Sequence, residues 1–208
     1  PKPQTPNPKP QTPNPSIYPY NISPMDRQPS TPHQYKTVLI GPVSSGKTLF
    51  SILINPSTEH TINTIDDIPS TIGAVYKTFP LKVCGKDIRI DVWDTAGNER
   101  YRSLWPLYTR GADLLIIVVR SDCPGDVTKV IEDMLGYRPG EDTEVLIVYN
   151  QVAEKSGDAN AEHAQVAERV EKLAVERGCF LLAVDLRRSG GSVLRGKVEE
   201  IATKMCGK

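Results

Sequence analysis

From Lys36 onward, short apolar runs alternate with polar or helically periodic stretches, and the runs read as strands at Thr37–Ile40, Ala74–Cys84, Asp87–Trp93, Asp113–Val119, Glu144–Tyr149 and Cys179–Val184. Several are almost continuously apolar, as strands covered on both faces must be, which predicts a mostly parallel sheet with helices between its strands. In the last helical stretch Leu194, Val198, Ile201, Ala202 and Met205 recur at helical spacing and give one stripe that can lie on the sheet. A further helix over Ala161–Arg177 ends at Gly178, a residue suited to a left-handed cap. Strand and helix in alternation predict an α/β fold.

Residues 1–34 break this texture. They hold most of the prolines and contain KPQTPNP twice, at Lys2–Pro8 and Lys9–Pro15. Such a stretch lacks backbone donors and buries little, so a disordered or PPII-like leader is expected at 1–34, followed by one domain over 35–206. A PPII ligand for an SH3-like or WW-like partner is the sharper alternative, but no PxxP register with a flanking basic residue stands out.

Composition adds exclusions more than directions. An apolar fraction of 38% supports a real core, and 25 basic against 25 acidic residues leave no charge excess to suggest a nucleic-acid partner. Cysteines 84, 123, 179 and 206 show no paired spacing, which favours reduced thiols; the first three read as structural and Cys206 as an ordinary terminal residue. No apolar run reaches the roughly 18 residues needed to cross a bilayer. His33, His60 and His163 have no metal spacing and read as solvated surface.

The chemistry concentrates in Gly41-Pro-Val43-Ser44-Ser45-Gly46-Lys47-Thr48, which follows a strand run and precedes the apolar stretch beginning at Leu49. This G-x-x-x-x-G-K-T pattern, in a strand–loop–helix setting, is a phosphate-binding loop. Its glycines let the backbone wrap a polyphosphate, Lys47 reaches the β and γ oxygens, and Thr48 is a ligand for Mg²⁺. Asp94-Thr-Ala-Gly97 follows the strand run ending at Trp93, where a carboxylate can hold Mg²⁺ through water and the Gly97 amide can meet a γ-phosphate.

With these motifs in place, residues from Lys36 to about Met205 resemble the Rab branch of the Ras superfamily of small GTPases. Thr71-Ile72-Gly73 is similar to the switch I Thr-Ile-Gly, and Trp93 to Leu104 is similar to the Rab switch II stretch. The resemblance implies the P-loop NTPase fold of small GTPases, a six-stranded mostly parallel sheet flanked by about five helices. It also implies GTP or GDP as ligand with Mg²⁺ held by Thr48, Thr71 and Asp94. An effector face would comprise Ile72, Tyr76, Trp93 and Tyr108, although aromatic residues in such a sheet more often fill the core.

Departures from the family pattern bear on mechanism. Val43 stands where Gly or Ser is usual and would crowd the γ-phosphate, and Asn98 replaces the water-positioning Gln with a side chain one methylene shorter. Because phosphoryl transfer depends on positioning, slow or lost hydrolysis is expected, with Asn98 and Lys47 as its catalytic groups. The base motif Asn-Lys-x-Asp is replaced by Asn150-Gln151-Val152-Ala153, which removes the carboxylate for the guanine donors unless Glu154 substitutes. The second base loop is reduced to Leu186-Arg187-Arg188, with both arginines candidates for the nucleotide site and Arg188 the one that could pack on the base in place of the Lys. The ending Met205-Cys206-Gly207-Lys208 is not a prenylation box, so no stable membrane anchor is expected. The Gly-Pro-x-x-Ser-Gly-Lys-Thr loop, Leu104-Trp105-Pro106 and the missing base carboxylate are similar to the Rab-like GTPases of intraflagellar transport, while Asp94–Gly97 keeps the standard Rab form.

The expected role is a guanine-nucleotide switch with 55–70 as the segment that changes order. Its partner would be an effector protein or a helical subunit of a trafficking complex, and the chain by itself would be a monomer. Its place would be the cytoplasm, with ciliary or flagellar sites and transient membrane contact included. The alternative is a pseudo-GTPase scaffold subunit whose nucleotide is a structural cofactor. A competent turnover enzyme is a third reading, disfavoured by Val43 and Asn98.

Overall fold

Each of the expected strand runs forms a strand: β1 His33–Ile40, β2 Ala74–Val83, β3 Lys86–Thr95, β4 Leu114–Arg120, β5 Glu144–Asn150 and β6 Phe180–Val184. The computed structural model describes residues 32–57, 68–152 and 160–207. The leader's repeats, residues 58–67 of the expected order-changing segment, His60, Ala153 and Glu154 lie outside these residues. The helices among them are α1 Lys47–Leu53, α2 Trp105–Thr109, α3 Val127–Leu135, α4 Asn160–Glu176 and α5 Gly191–Cys206.

The six strands form one sheet in the order β2-β3-β1-β4-β5-β6. Only the β2–β3 hairpin is antiparallel. β4 shows why its sequence is unbroken apolar. Leu114, Ile116 and Val118 point into the core under α1 and α5, while Leu115, Ile117 and Val119 point into the core under α2, α3 and α4. The stripe foreseen on α5 lies in the first core through Leu194, Val198, Ile201 and Ala202, with Met205 packed against its edge. Gly178 has the left-handed φ of 63° expected of a cap, and Cys179 N–H donates back to the Ala174 carbonyl at 2.8 Å, closing the end of α4.

Three differences from the sequence reading have local causes. β1 begins at His33 instead of Thr37 because Tyr35 is buried in the first core and the polar residues around it pair in register with β3. Cys84 is exposed in the β2–β3 turn with φ 51°, so it is a turn residue and not a core thiol. Cys206 accepts a hydrogen bond from the Tyr35 hydroxyl at 3.2 Å, fastening the end of α5 to β1. That contact and burial push the Tyr35 hydroxyl up to about 12, with burial the larger cause. His33 is exposed and leans on the Tyr35 ring.

β1 lies in the middle of the sheet, and the chain leaves it first toward β3 on one side and later toward β4 on the other. A crevice opens beyond the carboxyl ends of strands at such a reversal. Here that is where Gly41 begins the phosphate loop.

Candidate functional site: a cleft at the end of the first strand

A cavity of about 490 Å³ lies at this point. Val43, Ser44, Ser45, Gly46, Lys47, Thr48 and Leu49 form its floor; Thr71 and Ile72 form one wall, Gly97 and Asn98 a second, and Asn150 and Arg187 the far end. Residues separated by well over a hundred positions thus face one space. Among the described residues the lining contains Lys47, Arg120 and Arg187 and no carboxylate, a charge balance suited to a polyanion.

Lys47 is folded back onto its own loop. Its ammonium donates to the carbonyls of Pro42 at 2.7 Å and Gly41 at 2.9 Å, and to Ser45 Oγ at 3.4 Å. Burial lowers its pKa to about 8, with the Asp94 charge opposing the shift. An ammonium so poorly solvated gains from any phosphate oxygen that reaches it. Gly97 packs directly against this loop: a Cβ there would stand 2.5 Å from Lys47 Nζ and 2.6 Å from the Pro42 carbonyl oxygen, which only glycine allows.

Thr48 Oγ1 and Thr71 Oγ1 lie 2.9 Å apart, although 23 residues separate them in the chain. Asp94 is completely buried near them and neither of its carboxylate oxygens has a hydrogen-bond partner. Burial raises its pKa; the Thr48 hydroxyl, the ammonium groups of Lys77 and Lys47, and the Ser51 hydroxyl pull the other way. An orphaned carboxylate beside two hydroxyls is a hard-oxygen donor set, and it fits Mg²⁺. Among the described residues no group of three His, Cys, Asp or Glu side chains is assembled, so this would be a cation completed by water and phosphate and not an all-protein cage.

Several expected site residues do other work. Asn98 lines the cavity and also caps the 3₁₀ helix Glu99–Leu104, its Oδ1 accepting from the Arg100 N–H at 3.0 Å. Asn150 is buried and bonded at both ends: Nδ2 donates to the Ser45 carbonyl at 3.1 Å and Oδ1 accepts from the Leu186 N–H at 3.1 Å. It therefore ties the phosphate loop to the β6–α5 loop. Gln151 and Arg188 do not line the cavity. Gln151 is exposed while its N–H bonds to the Val184 carbonyl, and Arg188 pairs with Asp185 at 3.4 Å. Gly41 sits beneath the loop, contributing its carbonyl to Lys47.

The cavity also has members the sequence reading missed. Tyr101 lines it, and Arg120 at the end of β4 donates to the Ser44 carbonyl at 3.3 Å while paired with Asp122. Tyr101 lies within the switch II-like stretch Trp93–Leu104 without having been singled out there, and the only signal for Arg120 was its position at a strand end.

Beside the cavity, Tyr76, Trp93 and Tyr108 form a continuous aromatic strip with ring centroids 5.4 and 5.9 Å apart. Ile72 at 78% exposure, Tyr76 at 47% and Leu107 at 68% leave apolar surface in solvent, whereas Trp93 is half-buried against the second core. The strip thus serves packing at Trp93 and remains accessible at Tyr76 and Ile72.

Because Asn150 bonds two buried backbone groups, the Ser45 carbonyl and the Leu186 N–H, Asn150→Ala is expected to destabilise the fold by about 2 kcal/mol. Urea unfolding of the nucleotide-free chain measures it, and an unchanged midpoint would show the bonds to be dispensable.

Comparison with known proteins agrees with this geometry. The family described as Ras of Complex, Roc, domain of DAPkinase matches residues 36–153. Ras-related protein RABC1 of Arabidopsis thaliana is 32% identical over 159 residues, covering 74% of this chain and 70% of that protein. Ras-related protein Rab-8B of Homo sapiens is 31% identical over 157 residues, covering 74% and 71%. Putative ras-related protein Rab-5B of Dictyostelium discoideum is 38% identical over a shorter stretch of 95 residues, 46% of this chain and 39% of that protein. With the phosphate loop, the Thr71 and Gly97 segments and the sheet order assembled as described, the chain belongs to the Ras superfamily of small GTPases, as a divergent Rab-like member.

Proposed function

We propose that this chain binds GTP and GDP with Mg²⁺ in the cavity at the end of β1 and presents a nucleotide-dependent surface to a protein partner in intracellular traffic. The observation that carries this reading is that one cavity is walled by the phosphate loop, by Thr71–Ile72 and by Gly97–Asn98 together. A nucleotide in that space touches both segments that adjoin the aromatic strip, so a change at its phosphate end can alter Ile72 and Tyr76. Thr48, Thr71 and Asp94 would hold the ion, whose chemistry is to neutralise phosphate charge. Lys47 would bind the phosphate oxygens, and Arg187 would lie along the base. Titrating the purified chain with fluorescently labelled GTP, GDP and ATP, with and without Mg²⁺, tests the reading; absence of Mg²⁺-dependent GTP binding would sink it.

Hydrolysis is proposed to be slow. Val43 is 58% exposed at the cavity, and Asn98, one methylene shorter than Gln, has its Oδ1 drawn to the Arg100 N–H of the following helix. A double variant Val43→Gly, Asn98→Gln is expected to speed single-turnover phosphate release by roughly 10-fold to 100-fold, the range over which a misplaced positioning group acts. An unchanged rate would place the limitation elsewhere.

The Asn98 cap also favours a second reading, a pseudo-GTPase scaffold subunit with nucleotide as a structural cofactor. Equal partner affinity with GDP and with a non-hydrolysable GTP analogue would select it over the switch. The finer placement in intraflagellar transport, with a cytoplasmic chain visiting cilium or flagellum and a helical subunit as partner, rests on the phosphate loop, Leu104-Trp105-Pro106 and the replaced base motif. A tagged full chain that never enters the organelle would remove that placement. Among the described residues no helix is long and apolar enough to cross a membrane.

A further inference from the structure

Asp94 is a fully buried carboxylate with no hydrogen bond, a situation that is costly unless a cation stands close by. Among the described residues a cation does: Lys77 Nζ lies 4.0 Å from Asp94 Oδ2. Lys77 is on β2, opposite Val92 of β3, and is partly buried. Its ammonium is held from α1, donating to Ser51 Oγ at 2.6 Å, and the Ser51 hydroxyl is itself fixed to the Thr48 carbonyl at 2.8 Å. Lys77 is thus anchored one link away from Thr48, on the same carboxylate that the divalent ion would use. Of the two ammonium groups whose charge acts on Asp94, that of Lys77 is the stronger, and the effect is mutual, Asp94 opposing the fall that burial imposes on the Lys77 pKa.

We propose that Lys77 is an internal counter-ion that stands in for the divalent cation at Asp94 and thereby sets how much Mg²⁺ the site requires. Without metal, Lys77 neutralises a carboxylate that would otherwise be buried and unpaired. When a divalent ion arrives, it meets an acid already compensated and a second positive charge beside it, both of which weaken its hold. Removing Lys77 therefore has two effects of opposite sense: the metal-free fold loses stability, and the metal is needed at lower concentration. A lysine that merely filled space would not produce the second. This inference rests on the nucleotide-binding reading above.

The test uses the full chain with GDP as the probe. Mg²⁺ is titrated at fixed GDP for wild type and Lys77→Met, with melting temperature as the readout, and both are also melted without nucleotide or metal. The metal-free variant is expected to melt several degrees lower, while its Mg²⁺ midpoint falls by roughly tenfold, the size of effect that one nearby like charge has on a bound cation. Lys77→Gln, which keeps a donor for Ser51 without the charge, replaces the Met variant if that one does not fold. A midpoint equal to or above that of wild type overturns the proposal. So does an equal loss of metal-free stability when Lys77 is removed in an Asp94→Asn background, since the pairing should then be gone. A wild-type chain that takes up no GDP at any Mg²⁺ concentration overturns the proposed function and this inference together; one that does, with an unmoved variant midpoint, overturns this inference alone.

Discussion

Gly41→Ala is expected to lower stability by roughly 3 kcal/mol or more, the upper end of what overpacking costs. A Cβ at residue 41 would stand 2.2 Å from the carbonyl oxygen of Val118 and 2.9 Å from Ser45 Oγ. The first atom belongs to the backbone of β4, a strand buried along nearly its whole length and paired on both sides, so it cannot move aside without disturbing β1 and β5. For a domain of this size, that corresponds to a fall in melting temperature of about 6–12 °C, measurable by circular dichroism on the nucleotide-free chain. A loop pushed off β4 would also carry the Gly41 carbonyl away from Lys47 and shift the phosphate-binding backbone, so nucleotide affinity should fall as well. A variant that melts within a degree of wild type would show that the loop is not seated against β4 as described.

Lys47→Met separates binding from folding. The ammonium is buried, and removing it relieves an unfavourable desolvation while releasing contacts to the Gly41 and Pro42 carbonyls. These terms oppose each other, so stability without ligand should change by no more than about 1 kcal/mol. Nucleotide affinity should instead fall by roughly two orders of magnitude, because a charge-assisted bond to phosphate is worth about 3 kcal/mol and, among the described residues, no other lysine lines the cavity. Equilibrium binding of a fluorescent nucleotide, paired with a thermal melt of the same sample, reads both. Retained affinity would mean that Lys47 stays bound to its own loop when the ligand enters.

Together the variants would distinguish a loop whose architecture is fixed before ligand arrives from one the ligand must assemble. The contacts favour the former. Asn150, Arg120 and Gly97 each hold the phosphate loop from a different element, through contacts that involve no ligand atom. Such preorganisation lowers the entropic cost of binding a polyphosphate.

Much of this was determined by the sequence alone, for a physical reason. The strand runs, the α5 stripe, the Gly178 cap and the G-x-x-x-x-G-K-T loop are signals carried by neighbouring residues: burial on two faces demands unbroken apolar runs, and a phosphate loop needs its glycines, lysine and threonine at set spacing. What only the tertiary structure decided are the tasks of polar groups that meet across long separations. Arg120 reaches Ser44 over 76 positions and Asn150 reaches Ser45 over 105. Nothing near either residue in the chain announces the contact. Asn98 turns to its helix cap and Arg188 to Asp185, both exposed side chains whose partners lie within three residues, yet no motif in the sequence assigned them these bonds. Lys77 belongs to this second class: within the sequence it is one polar residue in an edge strand, and only the approach of α1 and β3 sets its charge against Asp94.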